Sequence, residues 1–349
     1  MRIFDNPHFE AHETVNFAFD AQTGLRAIIA VHDTRLGPAA GGCRFWNYDS
    51  EDEALADVLR LSRGMTYKNA VAGLDLGGGK SVIIGDPKVI KTPDLMRAFG
   101  RAVDRLGGHY TTAEDVGVDV SDMEAVRETT AHVAGLARGA HASGDPSPVT
   151  AKGIFDGLRR AVALRFGRED LAGLRIAVQG LGHVGWYLCT HLHEAGAKLI
   201  VSDIDAGRMR RAVSEFDATP CAPEDVLTVE ADVFAPCALG AVLNARSIPG
   251  LRVAVVAGAA NNQLEEVADA DRLHARGILY VPDFAINAGG IISVSREIAG
   301  VDDPDWVTAR MSQLDANIAA ILAEAEAEQV SPHHVAMRFA ERRLEAAGR

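Results

Sequence analysis

The chain has 349 residues, 48% of them apolar and 24% charged, which is enough for two domains with full-sized cores and ordinary for a globular enzyme. Acidic residues outnumber basic ones by 48 to 35, a net charge of −13, which argues against a general nucleic-acid binder or a membrane-surface protein. The four cysteines form no C-x-x-C pair, the opening residues Met1 to Pro7 hold no apolar signal core, and no apolar run is long enough to span a bilayer; together these read as a reduced, cytoplasmic protein.

In chain order, Leu25 to His32 reads as a buried strand. Thr34 to Arg44, with Gly37-Pro38 and Gly41-Gly42, reads as a glycine-rich loop feeding another strand. Ser50 with Glu53 fits the S-x-x-E capping box and opens a helix on which Val58, Leu61, Met65 and Lys68 share one stripe. An ammonium on an apolar stripe is costly unless something anionic meets it there. Next comes Gly77-Gly-Gly-Lys80, and three successive glycines mark a backbone that must pass close to something else. The Gly79-Lys80-Ser81 ending does not make a phosphate loop. That loop needs a glycine where Leu74 stands, and a helix rather than a strand after the serine. Beyond Asp86-Pro87, Thr92 caps a helix with Pro93 at its first position. A strand at His109 to Thr112 then runs into Ala113-Glu-Asp115-Val-Gly, and Ser121 with Glu124 opens another capped helix.

The turn formers of Gly139 to Pro148 are the best hinge in the sequence. They divide an N-terminal domain, 1–145, from a second domain, 146–331, and the helix of 332–349 is expected to pack back on the first. In the second domain a buried strand ending at Gln179 runs straight into Gly180-Leu181-Gly182-His183-Val184-Gly185, which opens a helix. The next strand, Lys198 to Ser202, ends on Asp203. Strand, glycine fingerprint, helix and a terminal acid are the full context of a dinucleotide site. The first glycine makes the tight turn, the second admits the pyrophosphate and the third lets helix and strand pack. Asp203 is expected to hold the adenosine ribose and repel a 2′-phosphate, favouring NAD. Later strands are expected at 232–235, 252–257 and 278–281, and helices at 305–328 and 332–347. The fold class is therefore α/β: an N-terminal α/β domain plus a doubly wound Rossmann-type sheet. His183, His191 and His193 match no metal-ligand spacing, so no metal site is expected.

A nicotinamide cofactor implies hydride transfer, and Lys68, Lys80 and Asp115 suit a small anionic substrate undergoing acid–base chemistry. At this point the motifs become specific. Met65-Thr-Tyr-Lys68, Gly77-Gly-Gly-Lys80, Thr112-Ala-Glu-Asp-Val-Gly117, Ser147-Pro-Val-Thr150, Gly180-Leu-Gly-His-Val-Gly185, Ala259-Ala-Asn-Asn-Gln263 and Asn287-Ala-Gly-Gly290 occur in that order. Together they resemble the glutamate/leucine/phenylalanine/valine amino-acid dehydrogenases, closest to the leucine and valine members, over nearly the whole chain.

The resemblance implies a substrate-binding and oligomerisation domain, an NAD domain, an active site in the cleft between them, and a homo-oligomer, dimer or octamer. It also implies reversible oxidative deamination of an L-amino acid to the 2-oxo acid and ammonia, with neither nucleic acid nor membrane as partner. By matching positions, Lys68 holds the substrate carboxylate, Lys80 is the general base that activates water, and Asp115 exchanges protons with the amino group. Gly42 lets the backbone approach the substrate, Thr150 and Asn287 orient the nicotinamide end, and Asn262 lies near substrate or ribose. The side-chain pocket is expected from Ala40, Met65, Ala113, Ile291 and Val294. All five are apolar, so charged side chains are disfavoured. Ala113, Ile291 and Val294 narrow the pocket towards leucine, isoleucine or valine. Ala40, where a larger aliphatic residue is expected, opens it towards an aromatic substrate such as phenylalanine or tryptophan. A non-catalytic NAD or amino-acid sensor is the reading from a different class.

Overall fold

The computed structural model describes residues 3–139 and 141–348. The chain forms two units. Unit 1 comprises 1–146, 291–308 and 340–349, and unit 2 comprises 147–290 and 309–339. The turn-rich stretch 139–148 holds this division, between Pro146 and Ser147; its residue 140 lies outside the described residues.

Unit 1 is built on strands β1 (Thr14–Asp20), β2 (Leu25–Asp33), β3 (Ala39–Trp46), β4 (Gly77–Ile84) and β5 (Tyr110–Glu114), in sheet order β1-β2-β4-β3-β5. The β1–β2 and β2–β4 pairs are antiparallel, whereas β3 runs parallel to both β4 and β5. Helix α1 (Glu51–Val71) covers one face, where Ile28, Ala30 and Val82 pack against Ala54, Leu55, Val58 and Leu59. On the other face, Ile29, Cys43, Phe45 and Ile83 share a core with Leu95, Met96, Phe99, Met123 and Val126. Those come from α3 (Pro93–Asp104) and α4 (Val120–Arg127), which follow the single turn α2 (Pro87–Ile90).

Local chemistry sets the helix ends. Ser50 Oγ accepts from Glu53 N as the capping box requires, but the Glu53 carboxylate reaches back one residue further, to Asp49 N at 2.9 Å. Thr92 caps α3 over Pro93 as expected. Helix α4 differs from expectation. Its cap is Asp119 with Asp122 as the reciprocal partner, rather than Ser121 with Glu124, because a carboxylate accepts from two backbone N–H groups at once.

The glycine run lies inside β4 and makes no turn. A Cβ on Gly78 would stand 2.0 Å from Thr66 Oγ1 and one on Gly79 2.6 Å from the Tyr110 ring. The strand is bare because α1 lies directly on one side of it and Tyr110 on the other. Gly41 and Gly42 are likewise strand residues of β3, where a preceding loop was expected.

Unit 2 is a parallel sheet of six strands, ordered β11-β10-β9-β6-β7-β8. Its elements are α5 (Ser147–Phe166), β6 (Arg175–Gln179), α6 (His183–Glu194), β7 (Lys198–Ser202), α7 (Ala206–Phe216), β8 (Thr219–Pro220), β9 (Val233–Pro236), β10 (Val255–Val256), α8 (Ala268–Ala275), β11 (Leu279–Tyr280) and the turn α9 (Asp283–Ile286). From β6 the chain builds outward through β7 to one edge and then returns to build through β9 to the other. The carboxyl ends of β6 and β9 are therefore the switch point where doubly wound sheets bind ligands. This is the expected α/β class with a Rossmann-type sheet.

Three further helices complete the chain: α10 (Gly289–Ala299), α11 (Trp306–Glu328) and α12 (Pro332–Ala347). Residues 291–308 belong to unit 1 partly because the Glu297 carboxylate accepts from Gly135 N at 2.8 Å and from Ser143 Oγ at 2.8 Å. At the end of α12, Arg343 donates to the last-turn carbonyl of Ala70 on α1 at 2.9 Å and pairs with Asp75 at 3.0 Å. Among the described residues no helix is long and apolar enough to cross a membrane.

Candidate active site

The chemistry of unit 1 is assembled across three parallel strands. Lys80 lies in mid-β4, two residues before Val82 and on the same α1-facing side. The register Ala40 with Gly78 and Cys43 with Ser81 puts Gly42 level with Lys80 on β3, and Gly42 pairs in turn with Ala113 of β5. Asp115 follows the end of β5. With no side chain at Gly42, Lys80 and Asp115 meet over the middle strand, Nζ to Oδ2 at 2.6 Å. A Cβ on Gly42 would lie 2.6 Å from the Glu114 carbonyl oxygen and 2.9 Å from Asp115 Cβ. The buried Tyr110 hydroxyl fixes the same backbone by donating to the Gly41 carbonyl at 2.7 Å.

Both charged groups are nearly out of water, with side-chain exposures of 8% for Lys80 and 15% for Asp115. Burial alone would push the Asp115 carboxyl up. The Lys80 and Arg44 cations and the Val116 N–H outweigh it and hold the group well below the usual carboxylate range. Asp115 is thus a carboxylate at neutral pH.

The other expected substrate residues stand as follows. Met65 and Lys68 are half-buried, three residues apart on one face of α1, and Met65 Cγ lies 3.1 Å from where a Cβ on Gly41 would be. Ala40 is fully buried within β3 between Gly78 and Thr111, so it belongs to the packed sheet and to no loop. Ile291 and Val294 share one face of α10 in the part grouped with unit 1, Val294 being 6% exposed.

Unit 2 carries the glycine fingerprint at the carboxyl end of β6. Gly180 has φ +99, and a Cβ there would strike the Cys237 backbone. A Cβ on Gly185 would lie 2.1 Å from the Gly180 carbonyl oxygen, the close approach that brings helix and strand together. Gly182 is the opposite case: its Cβ would meet nothing within 4 Å among the described residues. It is also the N-cap of α6, and no side chain caps that terminus. Open space before helix N–H groups that no side chain caps fits a pyrophosphate. Leu181 is buried, Val184 half-buried and His183 exposed.

At the end of β7, Asp203 Oδ2 accepts from Leu181 N at 2.6 Å and Oδ1 from Asp205 N at 2.7 Å, which ties the acid to the glycine turn. Arg208 lies 3.9 Å away. Asn287 donates to the Ala259 carbonyl at 3.1 Å and to Asn261 Oδ1 at 2.9 Å, while its own Oδ1 is buried without a hydrogen-bond partner among the described residues. An orphaned buried amide oxygen is an acceptor waiting for a donor such as a carboxamide or ribose hydroxyl. Thr150 is nearby in unit 2: a Cβ on Gly289 would lie 2.8 Å from its Cα. Asn262 adopts φ +50, a left-handed conformation that asparagine tolerates, with its carbonyl accepting from Ala241 N. These residues fit a bound dinucleotide. His191 and His193 pack their rings on Phe155 and Phe216.

Comparison with known proteins bears on both units. Residues 10–132 match the sequence model described as Glu/Leu/Phe/Val dehydrogenase, dimerisation domain, and residues 201–348 match Glutamate/Leucine/Phenylalanine/Valine dehydrogenase. A leucine dehydrogenase of Geobacillus stearothermophilus is 48% identical over 99% of this chain and 94% of its own. The chain belongs to the Glu/Leu/Phe/Val dehydrogenase family. A valine dehydrogenase of Streptomyces virginiae is 45% identical to this dehydrogenase over 95% of the chain and 94% of its own. The crystal structure of L-tryptophan dehydrogenase from Nostoc punctiforme matches with a TM-score of 0.83 at 41% identity, covering 100% of both chains. As a member of this family the dehydrogenase is an oxidoreductase acting on the CH–NH2 group of amino acids with a nicotinamide cofactor.

Sequence reading missed Arg44, whose guanidinium lies 3.4 Å from Asp115 Oδ2, and Tyr110. The one signal for Arg44 was its spacing: two residues beyond Gly42 on a strand, it must face the same way.

Proposed function

We propose that this dehydrogenase catalyses the reversible, NAD-dependent oxidative deamination of a branched-chain aliphatic L-amino acid (leucine, valine or isoleucine) to the 2-oxo acid and ammonia. The observation that carries the reading is the 2.6 Å contact of Lys80 with Asp115 over a bare Gly42, in a chain of this family. When bound, the nicotinamide accepts the hydride from the substrate α-carbon. Lys68 holds the substrate carboxylate, and Gly42, bare so that Lys80 and Asp115 can meet, lies where the backbone approaches the substrate. Lys80, in the turnover form in which it has given up a proton and is the free amine, takes the proton of the water that attacks the iminium carbon, and Asp115 moves protons to and from the nitrogen that departs as ammonia. Thr150 and Asn287 orient the carboxamide end of the cofactor, and Asn262 lies by the ribose or substrate.

The preference for NAD rests on Asp203, a carboxylate that meets a 2′-phosphate as a like charge. Pocket selectivity rests on Met65, Ala113, Ile291 and Val294. A methylene in such a pocket is worth ~1–3 kcal/mol, so discrimination among the aliphatic substrates is expected at ~10–200-fold or less. We read the protein as a homo-oligomer, in keeping with the dimerisation-domain description of 10–132.

An aromatic substrate is the second reading, favoured by the likeness to a tryptophan dehydrogenase; the small residue at Ala40, buried within the sheet, opens no pocket entrance. The deciding experiment follows NAD reduction spectrophotometrically at alkaline pH with the common L-amino acids. Higher kcat/KM for leucine or valine than for phenylalanine or tryptophan is the expected result, and the reverse order would move the assignment to the aromatic class.

A further inference from the structure

Arg44 joins two carboxylates that the sequence gives no reason to connect. Its Nη1 lies 2.9 Å from Asp57 Oδ2 on α1, and its Nε lies 3.4 Å from Asp115 Oδ2. The Tyr48 hydroxyl donates to the same Asp57 oxygen at 2.7 Å. Arg44 and Asp57 each keep only 19% of their side chains exposed. Charges therefore alternate along a row, Asp57, Arg44, Asp115 and Lys80, and cancel in pairs. Neutralising Asp115 does not need Arg44, because Lys80 already contacts it at 2.6 Å. The Arg44 Nε–Asp115 Oδ2 approach completes no hydrogen bond, so Arg44 acts on Asp115 as a charge at a fixed place: its guanidinium is anchored by the Nη1 hydrogen bond to Asp57, and a planar cation held from behind sets the side from which the carboxylate is attracted.

We propose that Arg44, clamped by Asp57 and Tyr48, is a positioning residue that keeps the Asp115 carboxylate charged and aimed at Lys80 and the reacting nitrogen. This rests on the dehydrogenase reading above. Lys80 faces the carboxylate from β4, Arg44 from β3, Asp57 from α1 and Tyr48 from the segment after β3, and Cys43 adjoins it on β3. Of these, Arg44 and Lys80 are the cations. Loss of Arg44 leaves Asp115 with one cation, raises its proton affinity and frees its orientation. Both consequences fall on turnover, because neither touches the group that holds the substrate carboxylate.

The test is steady-state kinetics with L-leucine and NAD on wild type, Arg44→Met, Arg44→Lys and Asp57→Asn. Arg44→Met is expected to lower kcat ~10–100-fold with leucine KM within about threefold of wild type. Arg44→Lys keeps the charge and is expected to recover part of this, leaving kcat ~3–10-fold low, because an ammonium cannot hold the Asp57 anchor and face Asp115 in one fixed plane. Asp57→Asn is expected to show the same partial loss of kcat. Arg160→Met, which removes the Arg160–Asp315 pair of unit 2 (2.7 Å), reports what loss of an ion pair does to the melting temperature alone. Wild-type kcat in folded Arg44→Met, or a loss confined to KM, would overturn the proposal. If Arg44→Met does not fold, wild-type kcat in both Arg44→Lys and Asp57→Asn overturns it equally. A wild-type protein that reduces no NAD with any amino acid would instead remove the dehydrogenase reading, and this inference with it.

Discussion

In unit 1, Gly42 lacks a side chain because the protein itself fills the space: a Cβ would lie 2.6 Å from the Glu114 carbonyl oxygen and 2.9 Å from Asp115 Cβ. In unit 2, Gly182 lacks one where nothing stands within 4 Å among the described residues, in front of an uncapped helix terminus. The first glycine serves a contact between two protein side chains, and the second faces open space at a helix terminus. The two units are thus built on different principles at these glycines. Unit 1 gathers its chemistry from residues far apart in sequence and packs them into direct contact, whereas unit 2 leaves a local motif open for an anion.

The largest expected effect lies in unit 1. Asp115→Asn keeps the shape and removes the charge, and should lower kcat ~10²–10⁴-fold if Asp115 moves protons during turnover. A loss smaller than about tenfold would take Asp115 out of the chemistry. Comparing the two glycines tests the contrast itself. Gly42→Ala is expected to displace Asp115 and lower kcat ~10–100-fold while cofactor affinity, read from NADH fluorescence, stays within about twofold. Gly182→Ala should do the reverse, weakening NADH binding about tenfold, a loss of ~1.4 kcal/mol, while kcat at saturating cofactor is nearly kept. If both substitutions acted on the same parameter, the contrast would fail.

Asp203→Asn should act on cofactor choice, narrowing the kcat/KM preference for NAD over NADP about tenfold. It should also lower the melting temperature slightly, because the same carboxylate accepts from Leu181 N and Asp205 N. An unchanged NAD to NADP ratio would shift the discrimination to Arg208, 3.9 Å away.

The smallest expected effect is on stability. His32 stacks edge-on against His12 with ring centroids 4.8 Å apart, and its Nδ1 lies 2.8 Å from Thr66 Oγ1, between Met65 and Lys68 in the sequence of α1. Burial, then the neighbouring His12, push its pKa down from 6.5 to about 4. The unfolded chain therefore binds this proton more readily than the native one. The stabilisation is complete above pH 6.5 and is lost as pH falls towards 4. His32→Gln should flatten that part of the pH–stability curve by ~1–2 kcal/mol, measured by urea unfolding at pH 7 and pH 4.5. An unchanged slope would show that His32 does not govern it.

How far the sequence could be read follows the same division. The glycine turn of unit 2 was legible because strand, turn, helix and Asp203 are consecutive, and Gly180 and Gly185 have local steric reasons. In unit 1 the identities of Lys68, Lys80 and Asp115 were legible through motifs, but their surroundings were not. The glycine run 77–79 read as backbone passing close to something, which it is, but not as strand, and the pair Gly41-Gly42 read as loop; both are strand because α1, Tyr110 and neighbouring backbones occupy the places of their side chains. Strand β1 was legible but went unread: Val15, Phe17 and Phe19 alternate as a strand should, although the face they mark is the open one, with Phe17 and Phe19 at 52% and 72% exposure and Ala18 buried. The Arg44 pairing depends on the register of β3 against β5 and on the approach of α1, and neither is written in local sequence.

The most direct test of the account is Lys80→Ala, measured for NAD reduction with L-leucine and, separately, for NADH affinity by fluorescence. Lys80 belongs wholly to unit 1, and the account requires the two measurements to part. Affinity should stay within about twofold of wild type while kcat falls by ~10²-fold or more, since general-base catalysis alone is worth ~10²–10⁴-fold. A kcat above about a tenth of wild type, or a fall in NADH affinity that accounts for the lost activity, would contradict it.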